Sequence, residues 1–249
     1  MSADLSISFL FTGSGRFRAR STEVRLNHMR LVSFEESLPC IAFMRVPSET
    51  VLVSLLIDSN NSPIWGGIRA DNTDLITLGS SQCVHIRSDG PCHLGAVLLP
   101  LQELTRYGSA LTSTAMEVPP AICRWRPAPG VGGQFRRLYS AAIRAAQVRA
   151  GPATGAEAAH GLEQQLIHLL VECLFTKPAR IAAPAKQRRL RLMVRFEELI
   201  RNQPEGSIRA TCISAALGVS DRFLRKCCAE HLGTSPMGYV RLHRTQSCA

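Results

Sequence analysis

Between about Val24 and Pro100, short apolar runs alternate with clusters of turn-forming residues, and this punctuation constrains the fold more than any other feature. The run V-L-V-S-L-L-I (51–57) is rich in β-branched residues and is stopped by D-S-N-N-S-P. W-G-G-I-R (65–69), D-L-I-T-L-G (74–79), C-V-H-I-R (83–87) and G-A-V-L-L-P (95–100) follow, each bounded by Gly, Asp, Asn or Ser. Strands at roughly ten-residue spacing predict a β-sandwich or small barrel.

Helical patterns follow Pro100. L-Q-E-L-T-R-Y-G reads as a short helix, and residues 118–133, rich in Pro and Gly, as a loop. A helix over Gln134–Arg149 would place Leu138, Ala141, Ala142, Ala145 and Val148 on one side. A second, over Ala156–Phe175, repeats Ala159, Leu162, Leu166, Leu169 and Cys173 at three- and four-residue steps. That stripe suits either a dimer seam or the cover of the β-domain's own core. T-K-P-A-R-I-A-A-P-A-K (176–186) reads as a linker. Beyond it a helix over Gln187–Arg201 aligns Leu192, Met193, Phe196, Leu199 and Ile200, and N-Q-P-E-G stops it.

Charge singles out the same end of the chain. The 249 residues carry a net charge of +10, and from Lys186 to Ala249 there are 12 Lys and Arg against 5 Asp and Glu. That final quarter therefore holds +7 of the total and residues 1–185 only +3, which marks it as the anion-binding end unless its basic face is merely solvated. The nine cysteines show no disulfide framework, and several sit inside apolar runs as reduced, buried thiols of a cytoplasmic protein do. Cys83-Val84-His85 with Cys92-His93 could offer four zinc ligands, but the spacing matches no familiar site, so no metal and no cofactor is expected. The N-terminus has an apolar run too short for a membrane span and no basic signal region, although Arg16, Arg18 and Arg20 faintly suggest a transit peptide; a loose extension is expected there.

The stretch A-L-G-V-S-D-R-F-L-R-K-C-C-A-E-H-L-G-T-S-P (216–236) is the most specific of all. Ile213 and Leu217 edge a short helix beginning near Ala210, with the small Ser214 where two helices would meet. Gly218 suits a left-handed turn, Ser220 an N-cap, and Asp221 the positive end of the helix dipole. Leu224, Cys227 and Cys228 would then face inward, leaving Arg222, Arg225 and Lys226, at i, i+3 and i+4, on an outer face. Gly233 ends the helix and Ser235-Pro236 begins another. This predicts a helix-turn-helix with a cationic second helix; an ordinary helical hairpin with a solvated face is the plainer alternative.

The segment I-S-A-A-L-G-V-S-D-R-F-L-R-K-C-C-A-E-H-L-G-T-S-P-M-G-Y-V-R-L-H-R resembles the first helix-turn-helix of the AraC/XylS family of bacterial transcription regulators. The marks are L-G-V-S (217–220), Arg222, Leu224, Gly233, Ser235-Pro236, Tyr239 and Arg244. The resemblance implies an α+β protein. A cupin-like sensing domain with a helical dimerisation hairpin (1–180) would precede an all-α DNA-binding domain (186–249). It further implies double-stranded DNA as partner, a small-molecule effector, a homodimer, no membrane association and no catalytic residues. Ser220, Arg222, Arg225 and Lys226 are the expected DNA-binding residues. Family members carry a second helix-turn-helix after a long linking helix, and here the chain ends as that helix starts. The expectation is a truncated unit that binds DNA weakly and in a salt-sensitive manner, or a regulator acting through mixed dimers. A cupin-type metal enzyme is disfavoured, because Cys83-x-His85 supplies one histidine where that class uses H-x-H.

Overall fold

The structure is a computed structural model that describes residues 5–58, 61–112, 118, 121–148, 156–175, 180–181, 184–202 and 210–247. Among these residues two antiparallel sheets and seven helices make an α+β fold. The strands are β1 (Ser6–Phe11), β2 (Ala19–Arg25), β3 (Arg30–Glu36), β4 (Cys40–Arg45), β5 (Thr50–Asp58) and β6 (Ile64–Trp65). They continue with β7 (Ile68–Arg69), β8 (Leu75–Leu78), β9 (Cys83–Ser88), β10 (Cys92–Pro100), β11 (Cys123–Trp125) and β12 (Arg180–Ile181). The helices are α1 (Leu101–Thr112), α2 (Pro129–Val148), α3 (Ala156–Leu174), α4 (Pro184–Asn202), α5 (Ala210–Leu217), α6 (Asp221–Leu232) and α7 (Pro236–Ser247).

One sheet has strand order β1-β4-β9-β6-β7 and the other β12-β11-β8-β5-β10-β3-β2. They stack face to face, and helices cover both outer surfaces. Strand alternation explains the layering. On β5, Leu52 joins the apolar cluster between the sheets, together with Trp65, Ile76 and Ile86. Val51, Val53 and Leu55 point the other way and pack with Phe135, Leu166 and Leu170 of α2 and α3. A strand buried on both faces carries apolar residues on both, with the buried Ser54 hydroxyl donating to the Gly95 carbonyl at 3.0 Å, which is why 51–57 reads as a run rather than an alternation. Gly95 of β10 makes room for α2: a Cβ there would sit 2.8 Å from the Tyr139 hydroxyl, which donates to the Val32 carbonyl at 2.6 Å.

Several expectations are corrected. The N-terminal segment is no loose extension from Ser6 onward, because β1 pairs with β4 from Ser6↔Arg45 to Phe11↔Cys40. Ile7 and Phe9 face the sandwich interior while Leu10 faces the C-terminal helices. Helix α2 begins at Pro129, inside the expected loop, and buries Phe135, Tyr139, Ala142 and Ile143. Its aromatic residues set the buried face; Ala141 and Ala145 are exposed and Val148 is 84% exposed. On α3, Leu166 and Cys173 are fully buried against sheet and helices of the same chain and serve its own core, while Ala159, Leu162 and Leu169 of the stripe are half-buried. Within the expected linker, Arg180–Ile181 pairs with β11 as an edge strand; residues 176–179 and 182–183 lie outside the described ones.

Candidate nucleic-acid interface

Helices α5 and α6 meet at a turn with the expected chemistry. Gly218 adopts φ +66°, and Val219 N donates to the Ser214 carbonyl at 3.0 Å, closing the end of α5. Ser220 is the N-cap of α6, at φ −72° and ψ 149°, and its Oγ accepts from Phe223 N at 3.2 Å. The hydroxyl therefore positions the helix. Gly233 closes α6 in the left-handed region at φ 69°. Ser235 Oγ accepts from Gly238 N at 3.1 Å as α7 begins. Leu224, Cys227 and Cys228 are fully buried, packed with Phe196, Ile213 and Leu217. Burial pushes the Cys228 thiol up to about 12, so it is an inert packing group.

Arg222, Arg225 and Lys226 are all exposed on the outer face of α6. Arg225 Nε bonds Asp221 Oδ2 at 2.8 Å across one helical turn, which orients the guanidinium. Such an exposed pair contributes only about 0.3–0.5 kcal/mol. A second cationic row went unrecognised in the sequence: Arg188, Arg191 and Arg195 of α4 are exposed at i, i+3 and i+7. Their helical spacing was the available signal.

Helices α4 and α7 are held against the first sheet by a buried polar cluster that sequence reasoning also missed. Glu197 of α4 is 1% exposed and receives three hydrogen bonds. His85 Nε2 of β9 lies 3.1 Å from Oε2, the Tyr239 hydroxyl donates to Oε2 at 2.5 Å, and Arg201 Nε donates to Oε1 at 2.7 Å. Burial alone would raise the carboxyl's pKa, but the bond and charge of His85, with the Tyr239 and Arg201 bonds, bring it down to about 2. Tyr239 moves the opposite way: burial first, then the adjacent Glu197 charge, push its hydroxyl well above the usual phenol range. Glu197 and His85 are 112 positions apart, so no spacing rule could have joined them.

Two further contacts fix α6 on the sheet. Arg87 Nη1 donates to the Ala229 carbonyl at 3.4 Å, and a Cβ on Gly233 would meet that same nitrogen at 2.5 Å. At the β6–β7 turn, Gly66 (φ +52°) lies against Leu190 of α4 and Gly67 (φ +78°) against the His231 ring of α6. The suspected metal ligands divide between the sheets: Cys83 and His85 lie on β9, Cys92 and His93 on β10. His85 is held by Glu197, and His93 Nε2 lies 2.7 Å from Ser33 Oγ. Among the described residues no three His, Cys, Asp or Glu gather to hold a metal, and no helix is long and apolar enough to cross a membrane.

No known protein-family description matches the chain, and no curated protein matches it. Solved structures align with it at low identity. The AraC-like transcriptional activator CuxR is 12% identical, with 98% of this chain and 86% of that one covered, at a TM-score of 0.46. Wild-type ToxT from Vibrio cholerae with bound unsaturated fatty acid is 9% identical, covering 97% and 95%, at 0.28. A cupin 2 domain-containing protein from Halorhodospira halophila is 10% identical, covering 60% and 99%, at 0.26. At such values the chain's own residues must carry the functional reading.

Proposed function

We propose that the chain is a sequence-specific DNA-binding regulator of transcription of the AraC/XylS type, with a sensing half (1–180) and a DNA-binding half (186–249). The single observation that carries this reading is the capped helix α6, whose core side is fully buried and whose outer side offers Arg222, Arg225 and Lys226. Entering a major groove, Arg222 and Arg225 meet guanine O6 and N7, and Lys226 meets a phosphate. Arg225 pairs with Asp221 through Nε, and its two terminal nitrogens are the ones to meet a base edge. Ser220 holds the helix start at the backbone. The chain works in the cytoplasm and is not an enzyme.

A small-molecule effector enters between the sheets. An apolar cavity of about 40 Å³ lies there, lined by Phe9, Val32, Trp65 and Ala96, with the buried carboxyl of Glu36 at its edge. Burial raises the pKa of that carboxyl, so a ligand meets a largely apolar pocket whose polar groups are Glu36, Ser54 and Cys40. Two copies bind together, because one reading helix spans few base pairs and a paired half-site acts at raised local concentration. Selection of duplexes from a random pool by the full chain tests the reading. A shared motif should emerge, and Lys226→Ala should lower the salt slope by about 0.9 without changing the motif. A pool that stays random after repeated rounds contradicts it.

A further inference from the structure

A cleft of about 300 Å³ lies where the β6–β7 hairpin faces α4 and α6. Gly67 and Arg69 border it from the hairpin side, Lys186 and Arg189 from α4, and Glu230 and His231 from α6. Three cations thus face one carboxylate, and that carboxylate is engaged by Arg189 at 2.6 Å. Lys186 Nζ donates to the Gly67 carbonyl at 3.4 Å, which keeps its charge at the hairpin wall. His231 is 3% exposed, yet its Nδ1 has no hydrogen-bond partner. The ring turns its Nε2 edge toward the hairpin at Gly67. Burial, and behind it the His85, Arg189 and Lys186 charges, outweigh the opposing pull of Glu230 and bring the His231 pKa down to about 4. At neutral pH the ring is therefore uncharged, in an electropositive cleft.

We propose that this cleft binds a small anion of the phosphate class, inorganic phosphate or a phosphomonoester, held by Arg69, Lys186 and Arg189 with the His231 ring at its wall. The cations come from two elements, so donors approach from different directions. Four tetrahedral oxygens match that convergence, whereas a carboxylate offers two in one plane. The bound anion ties the sensing half to the helix that carries Arg222 and Arg225. It fastens α4 and α6 to the hairpin at the point where Gly66 and Gly67 already touch them.

The test is calorimetric titration of the full chain with inorganic phosphate, then with glycerol phosphate, in buffer of constant ionic strength. Saturable binding of one anion per chain is expected. Lys186→Gln and Arg69→Gln should each weaken it by about tenfold or more, with thermal unfolding in the absence of phosphate unchanged. Arg69 is exposed and Lys186 half-buried, so at least one variant should fold. In NMR titrations the His231 ring should become easier to protonate when phosphate is present. No saturable binding, or binding that neither substitution weakens, overturns the proposal. So does an arm in which a non-specific duplex, but not free phosphate, is lost on both substitutions, because the cleft would then serve the DNA backbone. None of these outcomes depends on whether α6 reads bases.

Discussion

Helices cover both outer faces of the sandwich, but the two seams differ in chemistry. Helices α2 and α3 meet their sheet through Phe135, Leu166, Ile167, Leu170 and Val171, and the polar groups there find backbone partners. Arg136, for example, donates to the carbonyls of Leu56 and Asp74 at 2.6 and 2.7 Å. Helices α4 to α7 receive only Leu10 and Ile41 from their sheet into a shared apolar cluster. Leu190 adds an apolar contact at Gly66, and His85, Glu197, Tyr239, Arg201, Arg87 and His231 make that seam far more polar than the first. Apolar burial is non-directional and indifferent to pH; buried charges demand one geometry and one protonation state. The first seam builds the N-terminal half, and the second sets the orientation of α6 while remaining sensitive to conditions.

The largest effect should come from removing the carboxylate at the centre of the polar seam. Glu197→Ala leaves His85 and Arg201 facing a vacancy and should cost about 3–5 kcal/mol in urea unfolding. A cost under about 1 kcal/mol would show that the seam is held by its apolar residues. Leu166→Ala, in the apolar seam, should cost about 3 kcal/mol, by the same amount at pH 7 and pH 5. A strong pH dependence there would erase the contrast.

Acid should distinguish the seams next. The folded-state pKa of His231 lies at about 4, below its ordinary 6.5, so the stability it contributes is complete above pH 6.5 and is lost as pH falls toward 4. The expected loss over that window is about 2–3 kcal/mol. Burial also lowers His93 and His243, which add in the same direction, so His231→Leu should reduce the slope without abolishing it. Glu197, depressed to about 2, gives a second loss below about pH 4.5. An unfolding free energy flat from pH 7 to pH 4 would contradict the ionic account.

The smallest effect is local. Ser220→Ala removes the cap of α6 and should cost about 1 kcal/mol, with Ser220→Gly costing less. Equal and negligible costs would mean that the cap bond at 3.2 Å is immaterial.

How legible each part was follows from the range of the interactions that make it. The turn at Gly218, the cap at Ser220 and the stop at Gly233 are decided within four residues, and each reads directly from the letters. The strands 51–57, 74–79 and 83–87 were readable because turn residues bracket them. On α2, the alanines at 141 and 145 imitate an apolar stripe, but Phe135 and Tyr139 bury far more surface and rotate the helix accordingly. The joint between the halves leaves no periodic trace. Gln246 and Phe11 exchange two hydrogen bonds across 235 positions, at 2.7 and 2.8 Å, with nothing in either neighbourhood to announce it.

The most direct test of α6 as a base-reading helix compares Arg225→Ala with the parent chain on two duplexes, the selected sequence and a scramble of it, at one salt concentration. The account predicts a loss of about 1–3 kcal/mol on the selected duplex beyond any loss on the scramble. Equal losses on both would contradict it, because Arg225 would then supply charge alone.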